Sequence, residues 1–274
     1  MNSLRLTLRA PHDGRLDLSG VVPDRVLLLT PAEMAAMPLT NDARLCALSD
    51  YFDIEEGARD KLILSGDLQR VDNVGAAMRE GMLVIEGSVG NRLAADMRGG
   101  HIVVHGNAGN YVSSGQRGGY VNIEGDVQDC CAAAAPGARA GMRGGTLRVG
   151  GSAGRFLGQR MRRGTVVVDG NVAEGCASSL IAGTIVCRAA PSAPLGIGMR
   201  RGTLVCLMTP APPLHVGFTV PEPIRLSYLH LLFDALRPQL PDVDVATIAY
   251  KLVWRSIGDR ACGGTGEIIW LAED

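Results

Sequence analysis

The chain has 274 residues, 27 basic and 28 acidic side chains and a net charge of −1 at neutral pH. That balance gives no electrostatic footprint for nucleic acid, and no run approaches the 18 apolar residues of a membrane helix. The first ten residues are polar and alternating, without the apolar core of a signal peptide, and seven cysteines without a C-x-x-C spacing read as reduced thiols. A cytoplasmic protein is the expectation. The charge is uneven: −4 over residues 1–60, +6 over 61–202 and −3 over 203–274, and all the basic residues but Lys61 and Lys251 are arginine.

In chain order, Leu4, Leu6 and Leu8 and then Leu16 and Leu18 alternate like strands. Thr30-Pro31-Ala32-Glu33 opens a short helix with a capping residue, proline in the first turn and a capping-box Glu. From residue 61 glycine closes successive segments at Gly81, Gly100, Gly119, Gly145, Gly164, Gly183 and Gly202. The interval is 19 residues, except for one of 26 between Gly119 and Gly145. A fixed period marks a repeat architecture. Behind each glycine runs the same short strand, as in Met82–Glu86, His101–His105, Thr165–Asp169 and Thr203–Leu207, with the second and fourth positions apolar and therefore facing the core. Gly with Asn, Asp or Ser then supplies turn chemistry, and most repeats end on Met-Arg-x-Gly. Nineteen residues are too few for a strand with a crossover helix. They suit a coil of two or three short strands, so the expected fold is all-β: a β-helix, or parallel solenoid, of about seven 19-residue coils with small α/β flanking segments. The expected division is a β-rich cap with a short helix (1–60), the glycine-repeat β-helix (61–208) and an α+β appendage (209–274). In the last, Thr209–Pro213 is a rigid break, Leu226, Leu229, Phe233 and Leu236 follow helical spacing up to Pro238, and two strands flank the Gly258–Gly266 turn.

Two columns stand out as candidate sites. The arginines of Met-Arg-x-Gly, namely Arg79, Arg98, Arg117, Arg143, Arg162 and Arg200, should form a ladder along one edge. They either bond turn carbonyls of adjacent coils or form an anion-binding stripe, because a guanidinium pairs bidentately with carboxylates. Stacked like charges repel, so acidic partners are expected nearby. The outward third strand position is Val84, Val103, Val167, Val186 and Val205. Such an apolar strip marks a partner interface or is covered by the chain's own tail. His101 and His105 share an outward face, but further metal ligands are lacking. No catalytic site and no metal site are suggested by spacing. These residues together point to a scaffold or binding protein. A carbohydrate-active solenoid is disfavoured, since aromatic content is 4% and the outward column is Val.

Gly106-Asn107-Ala108-Gly109, Gly151-Ser152-Ala153-Gly154 and the Met-Arg-x-Gly endings resemble a glycine-repeat β-helix shared by two groups. One is the C-terminal domain of the glutamate synthase large subunit; the other is the C-type subunit of formylmethanofuran dehydrogenases. The tail, with Gly258, Asp259, Ala261, Gly264 and Gly266, is similar to the ending of that C-type subunit. Within that family the Arg-rich, Lys-poor composition favours the bacterial formyltransferase/hydrolase complex over the molybdenum- or tungsten-dependent archaeal one. The resemblance implies a non-catalytic scaffold subunit in one-carbon metabolism and formaldehyde oxidation. Its complex would move formyl from formyl-tetrahydromethanopterin to a methanofuran-type carrier and release formate. It implies partners in the form of formyltransferase and amidohydrolase-like hydrolase subunits and a further large subunit. No cofactor is expected on this chain alone; the methanofuran-type carrier would be contacted within the complex. The alternatives are the C-type subunit of a molybdenum or tungsten formylmethanofuran dehydrogenase and a separately encoded glutamate-synthase-like domain. Departures from the pattern are Ala189 in place of Gly, the Arg-less ending at Gly183 and the long loop Asp129–Ala140.

Overall fold

Strand formation follows the alternation of apolar side chains. In a computed structural model, which describes residues 3–9, 13–189, 191–207, 212–239 and 251–271, the N-terminal segment holds β1 (Ser3–Leu8), β2 (Leu16–Asp17), α1 (Pro23–Val26), α2 (Pro31–Ala35), β3 (Pro38–Asn41), β4 (Arg44–Ala47), α3 (Leu48–Tyr51) and β5 (Phe52–Glu55). The repeat contributes β6 (Ala58–Ser65), β7 (Val71–Asp72), β8 (Met82–Glu86), β9 (His101–Val104), β10 (Tyr120–Ile123), β11 (Arg143–Val149), β12 (Arg163–Val168), β13 (Thr184–Cys187) and β14 (Thr203–Cys206). The tail adds β15 (Glu222–Ile224), α4 (Tyr228–Leu236), β16 (Val253–Gly258) and β17 (Gly266–Leu271). Thr209, Pro210 and Ala211 of the expected break, and Tyr250 ahead of the tail strand, lie outside the described residues.

One 13-stranded sheet runs through all three segments in the order β15-β16-β17-β14-β13-β12-β11-β10-β9-β8-β6-β1-β5, beside a four-stranded sheet, β4-β3-β2-β7. From β1 and β6 through β14 to β17 the large sheet is parallel, and it turns antiparallel only at its two edges. Register is one repeat per strand: Leu83 lies opposite Ile102, which lies opposite Val121, then Leu147, Val166, Ile185 and Leu204. All seven are fully buried. Each such side chain stabilises the fold by about 1.5–3 kcal/mol, which is why a slip by one residue is not tolerated.

The expected closed β-helix of about seven coils is corrected by this arrangement. Each repeat places one strand in the large sheet. Apart from β7, which pairs with β2 in the small sheet, the other ladder contacts described are single-residue bridges in the column Leu68, Val89, Ala108, Val127, Ala153 and Val172. No second or third sheet closes a coil among the described residues. The reason lies in the backbone of the intervening residues. Left-handed φ angles recur at every second residue, as at Arg92 (60°), Ala94 (57°) and Asp96 (54°), and at Phe156 (61°), Gly158 (68°) and Arg160 (56°). A strand needs continuous negative φ, so these stretches stack through isolated main-chain bonds such as Ser113 N–H to Leu93 O (2.8 Å) instead.

Close stacking also explains the glycine pairs. At Gly118 a Cβ would stand 2.3 Å from the Arg98 carbonyl oxygen, and Gly119 combines φ of 79° with a Cβ position 2.7 Å from Gly100 O. Only glycine meets both demands. In the flanks, the Thr30 capping box forms as its sequence predicts. Helix α4 buries Leu229, Phe233 and Leu236, the face its spacing predicts.

Candidate functional site

The arginine edge is built by the main chain. Arg98 N–H donates to Met78 O (2.7 Å), Arg117 to Met97 O (2.7 Å), Arg143 to Gln116 O (2.6 Å), Arg162 to Met142 O (2.8 Å) and Arg200 to Leu180 O (2.8 Å). The preceding residue in each repeat points inward, with Met78, Met97, Met142, Met161 and Met199 fully buried, so the arginine must point out. Arg79, Arg98, Arg117, Arg162 and Arg200 are exposed and Arg143 is half-buried. Ile181 takes the position between Arg162 and Arg200, where its N–H bonds Met161 O (2.8 Å).

Some arginines elsewhere are paired: Arg5 with Glu86, Arg15 Nε with Asp72 (2.7 Å), Arg155 with Asp129 (2.8 Å) and Arg148 with Asp169 (2.6 Å). Among the described residues the six edge guanidinium groups have no such partner, and Arg143 Nε is buried without one. The carboxylates expected beside them form no ion pair with them. Two unit charges at the strand spacing of ~4.8 Å repel by about 1 kcal/mol in water.

The valine column divides. Val167, Val186 and Val205 are buried in a second core with Leu229, Phe233 and Leu236 of α4, together with Val253 and Ile269. Val84 and Val103 remain half-buried. Between the two parts the same column carries Asn122 and Arg148. Arg148 reaches Asp169 on one side and Asn122 Oδ1 (3.4 Å) on the other, so a polar step separates the helix-covered strip from the open one.

His105 Nδ1 lies 2.9 Å from Glu124, and the His101 ring tilts against Tyr120. Among the described residues no three His, Cys, Asp or Glu side chains stand together as a metal cage requires. Burial pushes the Cys131 and Cys206 thiols up, while Cys187 is raised first by its contact with the Cys176 thiol and then by burial. All these thiols are free.

A third feature is absent from the sequence expectations. The seven-residue insertion folds into a loop whose residues Ala134–Arg139, with Tyr111, Gln159 and Arg160, line a cavity of about 370 Å³. Its only sequence signal is the break in the 19-residue period.

A large, mostly parallel sheet with a column of exposed arginines is the architecture that the chain presents. No family model matches the sequence. Over 93 residues, 34% of this chain, it is 40% identical to the C subunit of the Fhc formyltransferase/hydrolase complex of Methylorubrum extorquens. That match spans about a third (34%) of the relative's length. Across its length the fold superposes on a chain of the crystal structure of the formyltransferase/hydrolase complex (FhcABCD) from Methylorubrum extorquens in complex with methylofuran. The TM-score is 0.89 and the identity 35%, covering 98% of this chain and 100% of that one. The chain belongs to the C-type subunit family of formyltransferase/hydrolase complexes.

Proposed function

We propose that the chain is a framework subunit of a formyltransferase/hydrolase complex and that catalysis takes place on its partner subunits. The observation that carries this reading is the 35% identity and full-length superposition on a chain of the methylofuran-bound complex. In this reading the complex transfers formyl from a tetrahydromethanopterin carrier to a methanofuran-type carrier and hydrolyses it to formate. Residues 1–60 and 209–274 act as the two ends that terminate the stacked repeat of 61–208. Val84 and Val103, the part of the valine column that α4 leaves half-buried, belong to a partner interface. The unpaired guanidinium groups of Arg79, Arg98, Arg117, Arg143, Arg162 and Arg200 face anionic groups of the carrier or carboxylates of a partner. Their support is the absence of internal carboxylate partners among the described residues, in contrast to Arg15, Arg148 and Arg155.

The test is to co-express the chain with formyltransferase and hydrolase subunits, then assay each component alone and the assembly. Activity that appears with the partner subunits, none from this chain alone, and loss of assembly on Val84→Asp with Val103→Asp would support the reading. Formyl transfer or hydrolysis by the isolated chain would sink it. Unchanged co-purification of the double variant would remove that face from the interface.

A further inference from the structure

The cavity lined by the insertion loop has a backbone held in place by hydrogen bonds. Ala134 N–H donates to Gln159 O (3.0 Å) and Gly141 N–H to Arg160 O (2.9 Å), so both limbs of the loop are tied to the next repeat. At its tip Ala138 N–H closes on Ala135 O (2.9 Å), next to Gly137 at φ of 79°. Arg160 has its own N–H bonded to Ser178 O (3.1 Å) and sits at φ of 56°. With both main-chain groups engaged, the stack sets the direction in which its Cα–Cβ bond leaves the backbone.

The exposed Arg139 and Arg160 and the half-buried Tyr111 line this dish. Neither arginine has a carboxylate or carbonyl partner among the described residues. Asp129, the acidic residue at the root of the loop, is fully engaged by Arg155 through Nε (3.1 Å), Nη2 (2.8 Å) and the main-chain N–H (2.8 Å). The Tyr111 phenol is hydrogen-bonded to the Cys130 thiol, which raises its pKa, so this hydroxyl is already engaged inside the chain. No carboxylate lines the cavity, and its volume of about 370 Å³ falls in the range of small-molecule sites. Two exposed arginines without an ion-pair partner, lining a dish without acids, match one ligand chemistry, a compact group with several anionic oxygens.

We propose that this dish binds a small polyanion, a di- or tricarboxylate or a phosphate ester, held between Arg139 and Arg160. The site is separate from the arginine edge, because Arg139 and Arg160 belong to the loop and to the turn before Met161. It does not depend on the identity of the partner subunits. The anionic oxygens come either from a free metabolite or from acidic side chains of a docked protein.

The test is calorimetric titration of the full-length chain with citrate and, separately, with inorganic phosphate, at low and high salt. Citrate should bind at low salt and weaken steeply at high salt. Arg139→Gln with Arg160→Gln should lower citrate affinity at least tenfold, and Arg139→Lys with Arg160→Lys should retain part of it. Arg44→Gln, on the far N-terminal sheet, should change nothing. Repeating the titration on the assembled complex separates the sources: retained binding indicates a free ligand, and blocked binding indicates a partner carboxylate in the dish. Failure of the wild-type chain to bind citrate or phosphate at millimolar concentration, or equal weakening by Arg44→Gln, would overturn the proposal. Circular dichroism of each variant guards against loss of the fold.

Discussion

Asn107 Oδ1 accepts the main-chain N–H of Asp126, one repeat further on, at 2.8 Å. The relation propagates. Ser88 Oγ accepts from Asn107 N–H (3.0 Å), Asp126 Oδ1 from Ser152 N–H (2.7 Å) and Ser152 Oγ from Asn171 N–H (3.2 Å). A parallel series joins Asp72, Asn91, Asn110, Asp129 and Arg155. The small polar residues of the turns therefore satisfy the backbone of the next repeat, which is the requirement that an unpaired donor in a turn imposes.

Asn107→Ala should destabilise the fold by about 1 kcal/mol, the net worth of one such bond. Asn107→Asp keeps an acceptor in place and should lie close to wild type. Urea unfolding of the three proteins checks this; equal midpoints for Ala and wild type would mean that the side-chain ladder adds nothing.

Phe233 is buried against the helix-covered strip of Val167, Val186 and Val205. Phe233→Ala should cost about 3–5 kcal/mol, concentrated in the docking of α4 rather than in the large sheet. Hydrogen exchange should show faster exchange at β12 to β14 with little change at β8 to β10. Uniform acceleration across all strands would contradict a locally docked helix.

Gln116 occupies the inward column that Met fills in five other repeats, and its Oε1 is buried without a hydrogen-bond partner. Its Nε2 makes only long bonds to Gly118 O (3.1 Å) and Gly119 O (3.3 Å). Leaving a buried acceptor unpaired costs about 1–3 kcal/mol. Gln116→Met should therefore raise the thermal midpoint, and a lowered midpoint would assign Gln116 a positioning role for Arg143.

Asp259 is buried and accepts from the N–H groups of Gly198 (3.0 Å) and Ala261 (2.9 Å). Those two bonds, in that order, hold its carboxyl below the usual range, with His215 adding to the effect against the opposing influence of burial. A carboxylate with a depressed folded-state pKa stabilises the fold above its unfolded pKa of about 3.9, and this contribution is lost as pH falls through the folded value. Asp259→Asn should lower stability near neutrality and flatten the acid limb of the stability–pH curve below about pH 4. Parallel curves for the two proteins would show that the carboxylate charge is not coupled to folding.

Replacing Arg98 and Arg117 together by Gln should leave stability nearly unchanged, since neither guanidinium has a partner inside the chain among the described residues. In the assembled complex it should weaken carrier binding at low salt and matter less at high salt, because exposed charges act over a Debye length of about 8 Å at physiological ionic strength. Carrier affinity equal to wild type at both salts would limit the edge to a structural part.

The sequence by itself determined where the strands lie. Alternation at Leu83 and Ile85, repeated through Leu204 and Cys206, is a local pattern with one inward solution, and the strands β8 to β14 follow it. The Thr30 capping box and the apolar stripe of α4 were legible for the same reason, being set by neighbours within a turn. Only the tertiary structure decided what became of the rest of each repeat. Non-glycine residues such as Ala94, Tyr111 and Phe156 adopt left-handed φ, a conformation that costs about 1–3 kcal/mol and persists only where packing against adjacent repeats imposes it. That strain is invisible in a sequence of alanines and aromatics, and it keeps these stretches from becoming the second and third strands of a closed coil. The burial of Val167, Val186 and Val205 and the placing of Arg139 and Arg160 along one cavity were hidden for a related reason. Val167 and Phe233 are far apart in the chain, and the two arginines are brought to one cavity only because a loop is tied to the following repeat.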